Sequence, residues 1–110
     1  MTTDKTGAPT TVTAESDRFT IAVEGQPAGF AEYADRDGQR IFTHTEVADQ
    51  FEGRGLATIL INEALQITRD AGLRIVAVCP MVTWFLASHP EFQDVVDPVS
   101  TDIKRWLANS

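Results

Sequence analysis

Between residues 18 and 47 the chain alternates apolar and polar side chains, the period of strands with one buried face. In Arg18 to Glu24, Phe19, Ile21 and Val23 fall on one side, and Gly25, Gln26 and Pro27 then turn the chain. Ala28 to Tyr33 predicts a second strand. Asp37 with Gly38 is a hairpin signal, because both residue types tolerate the positive φ of a tight turn. In a third strand, Arg40 to Val47, strict alternation puts Phe42, His44 and Glu46 on one face and Ile41, Thr43, Thr45 and Val47 on the other. His44 and Glu46 are then neighbours.

Beyond residue 55 the period lengthens. Leu56 to Ala71 predicts an amphipathic helix with Leu56, Ile59, Leu60, Ala64, Ile67 and Ala71 on its apolar stripe, stopped by Gly72. Leu73 to Cys79 is short and almost wholly apolar, as a central parallel strand covered on both faces must be. Strand, helix and strand make one βαβ unit, which places the chain in the α/β (α+β) class. Pro80 suits the first turn of a further helix running to about Ser88, where its missing N–H costs nothing. Ile103, Trp106 and Leu107 form one stripe of a C-terminal helix after Ser100. Residues 1–14 mix Thr, Ala, Gly and Pro without apolar periodicity, so they are expected to be a disordered tail, leaving 15–110 as a single domain.

Charge narrows the partners. Sixteen acidic against nine basic side chains give a formal charge of -7, a field that repels polyanions and argues against nucleic acid. A small anionic cofactor stays compatible, since backbone amides at a helix start supply a local positive potential. One cysteine, Cys79, permits no intrachain disulfide, so a reducing, cytoplasmic setting is expected. No apolar run approaches the ~20 residues of a membrane span. A monomer without a metal is expected.

The segment Gln50-Phe51-Glu52-Gly53-Arg54-Gly55-Leu56-Ala57 lies between a predicted strand and a predicted helix, where unpaired amides can hold a diphosphate and glycines let it approach. A Walker loop would need Lys and then Ser or Thr after the last glycine, and neither follows Gly55. A dinucleotide fingerprint would need a small residue where Thr58 stands and an acid where Cys79 ends the next strand.

Gln50, Gly53 and Gly55 fit the pattern Gln/Arg-x-x-Gly-x-Gly/Ala, which resembles the acyl-coenzyme A signature of the GNAT acetyltransferase superfamily. His44-Thr45-Glu46-Val47, Cys79-Pro80 and Ser88-His89-Pro90-Glu91-Phe92 extend the resemblance to a compact, single-domain subfamily over about residues 18 to 96. The resemblance implies a mixed, mostly antiparallel sheet in which two parallel strands, 40–47 and 73–79, splay apart around pantetheine. It implies acetyl-coenzyme A, or coenzyme A, as cofactor. The backbone at Val47 would pair with pantetheine, the amides from Phe51 through Glu52, Gly53 and Arg54 to Gly55 and Leu56 would hold the diphosphate, and the Arg54 guanidinium would add a charge contact. The chain lacks the long helical segment between the first strands common in this superfamily, so the amine acceptor is left open.

Cys79, directly before Pro80 at a predicted helix start, is placed where a thiolate is favoured; it reads equally as a small buried hydrophobe. His44 is of the residue type that most often serves as general base near neutral pH, and Glu46 could orient it. Two routes of acyl transfer follow: His44 deprotonates an amine that attacks the thioester directly, or Cys79 takes the acetyl group first. A non-catalytic coenzyme A-binding module or sensor is the alternative class. A protein-interaction domain built on Met81, Trp84 and their neighbours ranks last.

Overall fold

The computed structural model describes residues 2–109, built around a seven-stranded sheet whose strands lie in chain order. They are β1 (Thr2–Thr3), β2 (Pro9–Ala14), β3 (Arg18–Val23), β4 (Gln26–Arg36), β5 (Gln39–Val47), β6 (Arg74–Ala77) and β7 (Val96–Asp97). Helix α1 (Leu56–Asp70) joins β5 to β6, α2 (Pro80–Ala87) follows β6, and α3 (Thr101–Ala108) follows β7. Neighbours from β1 to β5 pair antiparallel, whereas β5–β6 and β6–β7 pair parallel. The sheet is therefore mixed and mostly antiparallel, with β5–α1–β6 as its βαβ unit. The hairpin between β4 and β5 turns on Asp37 (φ 52°) and Gly38 (φ 77°), and Arg40 locks it with two hydrogen bonds to the Asp35 carboxylate, at 2.8 and 2.9 Å.

The expected disordered tail is corrected. Pro9–Ala14 is a strand paired with β3 from Thr10 opposite Val23 to Ala14 opposite Phe19. Thr10-Thr11-Val12-Thr13 is a β-branched run with the stiffness that favours extended backbone, and Ala8 and Val12 pack against the core. Met1 of that tail and Ser110 of the expected domain lie outside the described residues.

Two apolar layers sandwich the sheet. On one face Phe19, Ile21, Val23, Phe42 and Ile75 pack against Leu56, Leu60, Ala64 and Leu65 of α1 and Val82 and Phe85 of α2. On the other, Ile41 and Val76 meet Ile103 of α3. The buried stripe of α1 is rotated from the sequence expectation. Ile61, Leu65 and Thr68 are inside, and Ile67 is 39% exposed. Thr68 can be buried because its hydroxyl donates to the Ala64 carbonyl at 2.8 Å.

The parity expected of β5 is also corrected. Glu32 pairs with His44 while the next residue, Tyr33, pairs with Phe42, so Thr43 is the extra residue of a β-bulge. The bulge flips the alternation. Phe42 enters the main core and Thr45 is buried, whereas His44 and Glu46 are exposed on the opposite face.

Strand pairing between β5 and β6 ends at Phe42 opposite Ala77. There the Phe42 carbonyl accepts from both Val78 N (3.0 Å) and Cys79 N (2.9 Å), and β6 leaves the sheet into α2. Residues 43–47 stay bonded to β4 alone, which opens the splay between the two parallel strands.

Candidate functional site

The segment from Ala48 to Gly55 converts a strand end into a helix start. Asp49–Phe51 forms one 3-10 turn, anchored by Phe51, whose side chain is buried in the main core. Gly53 (φ 80°) and Gly55 (φ 77°) then adopt left-handed backbone that other residues reach only under strain. Gly55 is the N-cap of α1, so no side chain caps the helix, and its first turn holds no acid. Helix α3 shows the usual alternative, with Ser100 Oγ accepting from Ile103 N at 3.1 Å and Asp102 in the first turn. The first α1 bond runs from Ile59 N to Gly55 O (3.2 Å), and the amides of residues 53–58 have no backbone acceptor among the described residues. An anion at this end would meet unused donors and the positive end of the helix dipole.

A cleft of about 910 Å³ begins at this helix start. Its walls include Val47, Phe51, Glu52, Gly53, Gly55, Leu56 and Met81, and it continues past Gly29, Phe30 and Glu46 to Arg18 and Thr20. Thus six of the eight residues expected to hold the cofactor border one cavity. Gln50 is exposed on the 3-10 turn, outside the cleft wall. Arg54 is committed elsewhere: its Nη1 donates to Asp4 Oδ2 at 3.3 Å, and its guanidinium carbon lies 5.1 Å from the Phe51 ring centre.

His44 Nε2 lies 3.0 Å from Glu46 Oε1, both side chains being more than half exposed. The strand neighbourhood expected for this pair is therefore present. Cys79 is 2% exposed, N-caps α2, and donates its S–H to Thr45 Oγ1 at 3.5 Å. Thr45 and His44 are consecutive on a strand and point to opposite faces, so the structure does not bring Cys79 and His44 together. His89 is a helix-end residue, its Nδ1 2.7 Å from the Phe85 carbonyl and its ring stacked 3.7 Å from the Phe85 ring.

Asp4 and Lys5 beside the glycines escaped sequence reasoning. The Asp4 carboxylate accepts from Thr6 N (2.8 Å), Thr6 Oγ1 (2.6 Å), Ala8 N (3.0 Å) and Arg54. These donors, the Thr6 hydroxyl foremost, lower its pKa against the opposing effect of burial. An acid followed by Thr two residues on is a local turn signal that could have marked the site. Among the described residues no helix is long and apolar enough to cross a membrane.

Comparison with known proteins gives one family. The sequence matches the GCN5-related N-acetyl-transferase family over residues 18–95. The solution structure of a GCN5-like protein from Staphylococcus aureus superposes with a TM-score of 0.63 at 22% identity, covering 83% of this chain and 91% of that one. No curated protein matches the chain.

Proposed function

We propose that this chain, which belongs to the GCN5-related N-acetyl-transferase family, binds acetyl-coenzyme A in the cleft at the start of α1 and transfers its acetyl group to an amine. The observation that carries the reading is the uncapped, acid-free first turn of α1, opening onto a cavity large enough for an extended cofactor. The diphosphate is held by the amides of residues 53–58, and the pantetheine arm runs past Val47, whose strand has lost its parallel partner. The thioester then comes to the splay.

In the direct route, His44 Nε2–H donates to Glu46, which leaves Nδ1 with its lone pair free to take a proton from the amine. The amine nitrogen attacks the thioester carbon, the C–S bond breaks, and coenzyme A leaves as thiolate to be reprotonated. The covalent route draws on the position of Cys79 at the fork of β5 and β6. There the Cys79 sulfur, its proton released to solvent, attacks the same carbon, the C–S bond to coenzyme A breaks and its thiolate leaves. In a second step the amine nitrogen attacks the acetyl carbon, loses its proton to solvent and releases the Cys79 thiolate.

Thiol release with a panel of amines tests turnover. Loss in His44→Ala with retention in Cys79→Ala supports direct attack. Loss in Cys79→Ala, with an acetyl mass increment on Cys79 in the native chain, supports the covalent route. A second reading, a coenzyme A-binding module, is favoured by the separation of His44 and Cys79 on opposite faces. Equal background rates in all three proteins select it.

A further inference from the structure

Residues 2–17 lie outside the stretch that matches the family, yet their first turn is fastened to the glycine-rich segment. Lys5 N donates to the Arg54 carbonyl at 3.0 Å. Asp4, whose side chain is fully buried, holds the Arg54 guanidinium and, through Thr6 and Ala8, its own turn. The aliphatic stem of Lys5 crosses the α1 N-cap so closely that a Cβ added to Gly55 would stand 3.2 Å from Lys5 Cε.

The charges around the helix start give this placement a use. Asp49 and Glu52 line the main cleft and repel a diphosphate, while the nearest arginine, Arg54, is already neutralised by Asp4. Lys5 has no carboxylate within ion-pair distance among the described residues. A second hollow of about 300 Å³ lies between Thr3, Lys5, Arg54 and Ile59, and it shares Gly55 and Thr58 with the main cleft. A ligand anchored on the amides of residues 53–58 can therefore extend over Gly55 into it.

We infer that the N-terminal turn completes the nucleotide end of the cofactor site: Lys5, held across Gly55, pairs its ammonium with a phosphate of coenzyme A in the hollow shared by Thr3, Gly55 and Thr58. The inference rests on the coenzyme A reading above. A cation at this point offsets Asp49 and Glu52 and adds to the helix dipole, so phosphate affinity depends on a segment outside the family match.

Calorimetric titration of the full chain with coenzyme A, 3′-dephospho-coenzyme A and pantetheine tests it, using wild type, Lys5→Ala, Lys5→Glu and Lys5→Arg. Lys5→Ala should weaken coenzyme A about three- to fivefold, as loss of one exposed ion pair does, and Lys5→Glu about tenfold or more. Pantetheine, which has no phosphate, should bind all four proteins alike. Lys5→Arg should retain wild-type affinity, which a merely structural role for the side chain does not require. If the 3′-dephospho compound is insensitive to the substitutions, Lys5 contacts the 3′-phosphate; if it loses the same factor, the diphosphate. Coenzyme A binding by Lys5→Glu within about twofold of wild type overturns this inference alone. Failure of wild type to bind any of the three ligands overturns the coenzyme A reading, and this one with it.

Discussion

Single residues show where composition is a poor guide and contact decides. Asp4 and Asp97 are two of sixteen acidic side chains, and nothing in their sequence neighbourhood sets them apart as strongly as their partners do. Asp97 accepts from Gln39 Nε2 (2.9 Å) and Arg74 Nε (2.7 Å), tying β5, β6 and β7 together at one end. The Gln39 bond first, and Arg74 after it, lower its pKa, as the Thr6 hydroxyl does for Asp4. A carboxylate whose folded pKa is depressed contributes stability above its unfolded value of ~3.9, and that contribution is lost as pH falls through the lower folded value. Asp4→Asn and Asp97→Asn should therefore each melt below wild type at pH 7. The gap should narrow as denaturation is repeated at pH values below about 4. A gap that stays constant with pH would show that the carboxylate charge is not what stabilises. Arg54 illustrates the same point for the site: the sequence offers it as a phosphate ligand, and only the fold reveals that Asp4 already holds it.

At the level of elements, patterning located β3, β4, β5, α1, β6, α2 and α3 because each has a clear period or a terminal signal. It missed what breaks a period. The bulge at Thr43 leaves no mark in residue types, yet it moves Phe42 into the main core while His44 and Glu46 keep to the other face. Close approach of backbones is equally silent, and Gly29 is the case. A Cβ there would lie 2.4 Å from the Glu46 carbonyl oxygen and 3.2 Å from Val47 Cα, main-chain atoms that cannot swing aside. Gly29→Ala should thus push β4 away from β5 at the cleft wall. Destabilisation of roughly 1–3 kcal/mol is expected from such overpacking, read as a melting temperature lower by on the order of 5–15 °C. Because Glu46 and Val47 border the cavity, weaker cofactor binding should accompany it. The glycine-rich turn was legible as a turn for the opposite reason, since two glycines between a strand pattern and a helical stripe mark a tight strand-to-helix connection, and both adopt positive φ.

Across the whole molecule the sheet separates two environments. One face, covered by α1 and α2, contains Cys79 and the fork of the parallel strands; the other is covered by α3 only over Ile41 and Val76, leaving His44 and Glu46 open. The cleft starts on the first side, at the start of α1, and reaches the second past Gly29 and Phe30, so a ligand lying in it would connect elements from β3 to α2. Such a ligand binds the folded chain and not the unfolded one. At about 100 times its dissociation constant it stabilises by about 2.7 kcal/mol, which for a domain of this size raises the melting temperature by on the order of 10 °C. Coenzyme A should produce that shift in wild type. Gly53→Pro should abolish it, because proline fixes φ near −65° where the turn requires 80° and removes one of the free amides. The comparison is informative only if the variant's own melting temperature is also measured: a folded Gly53→Pro with an undiminished coenzyme A shift would place the ligand away from the α1 start, and with it the chemistry assigned to the cleft.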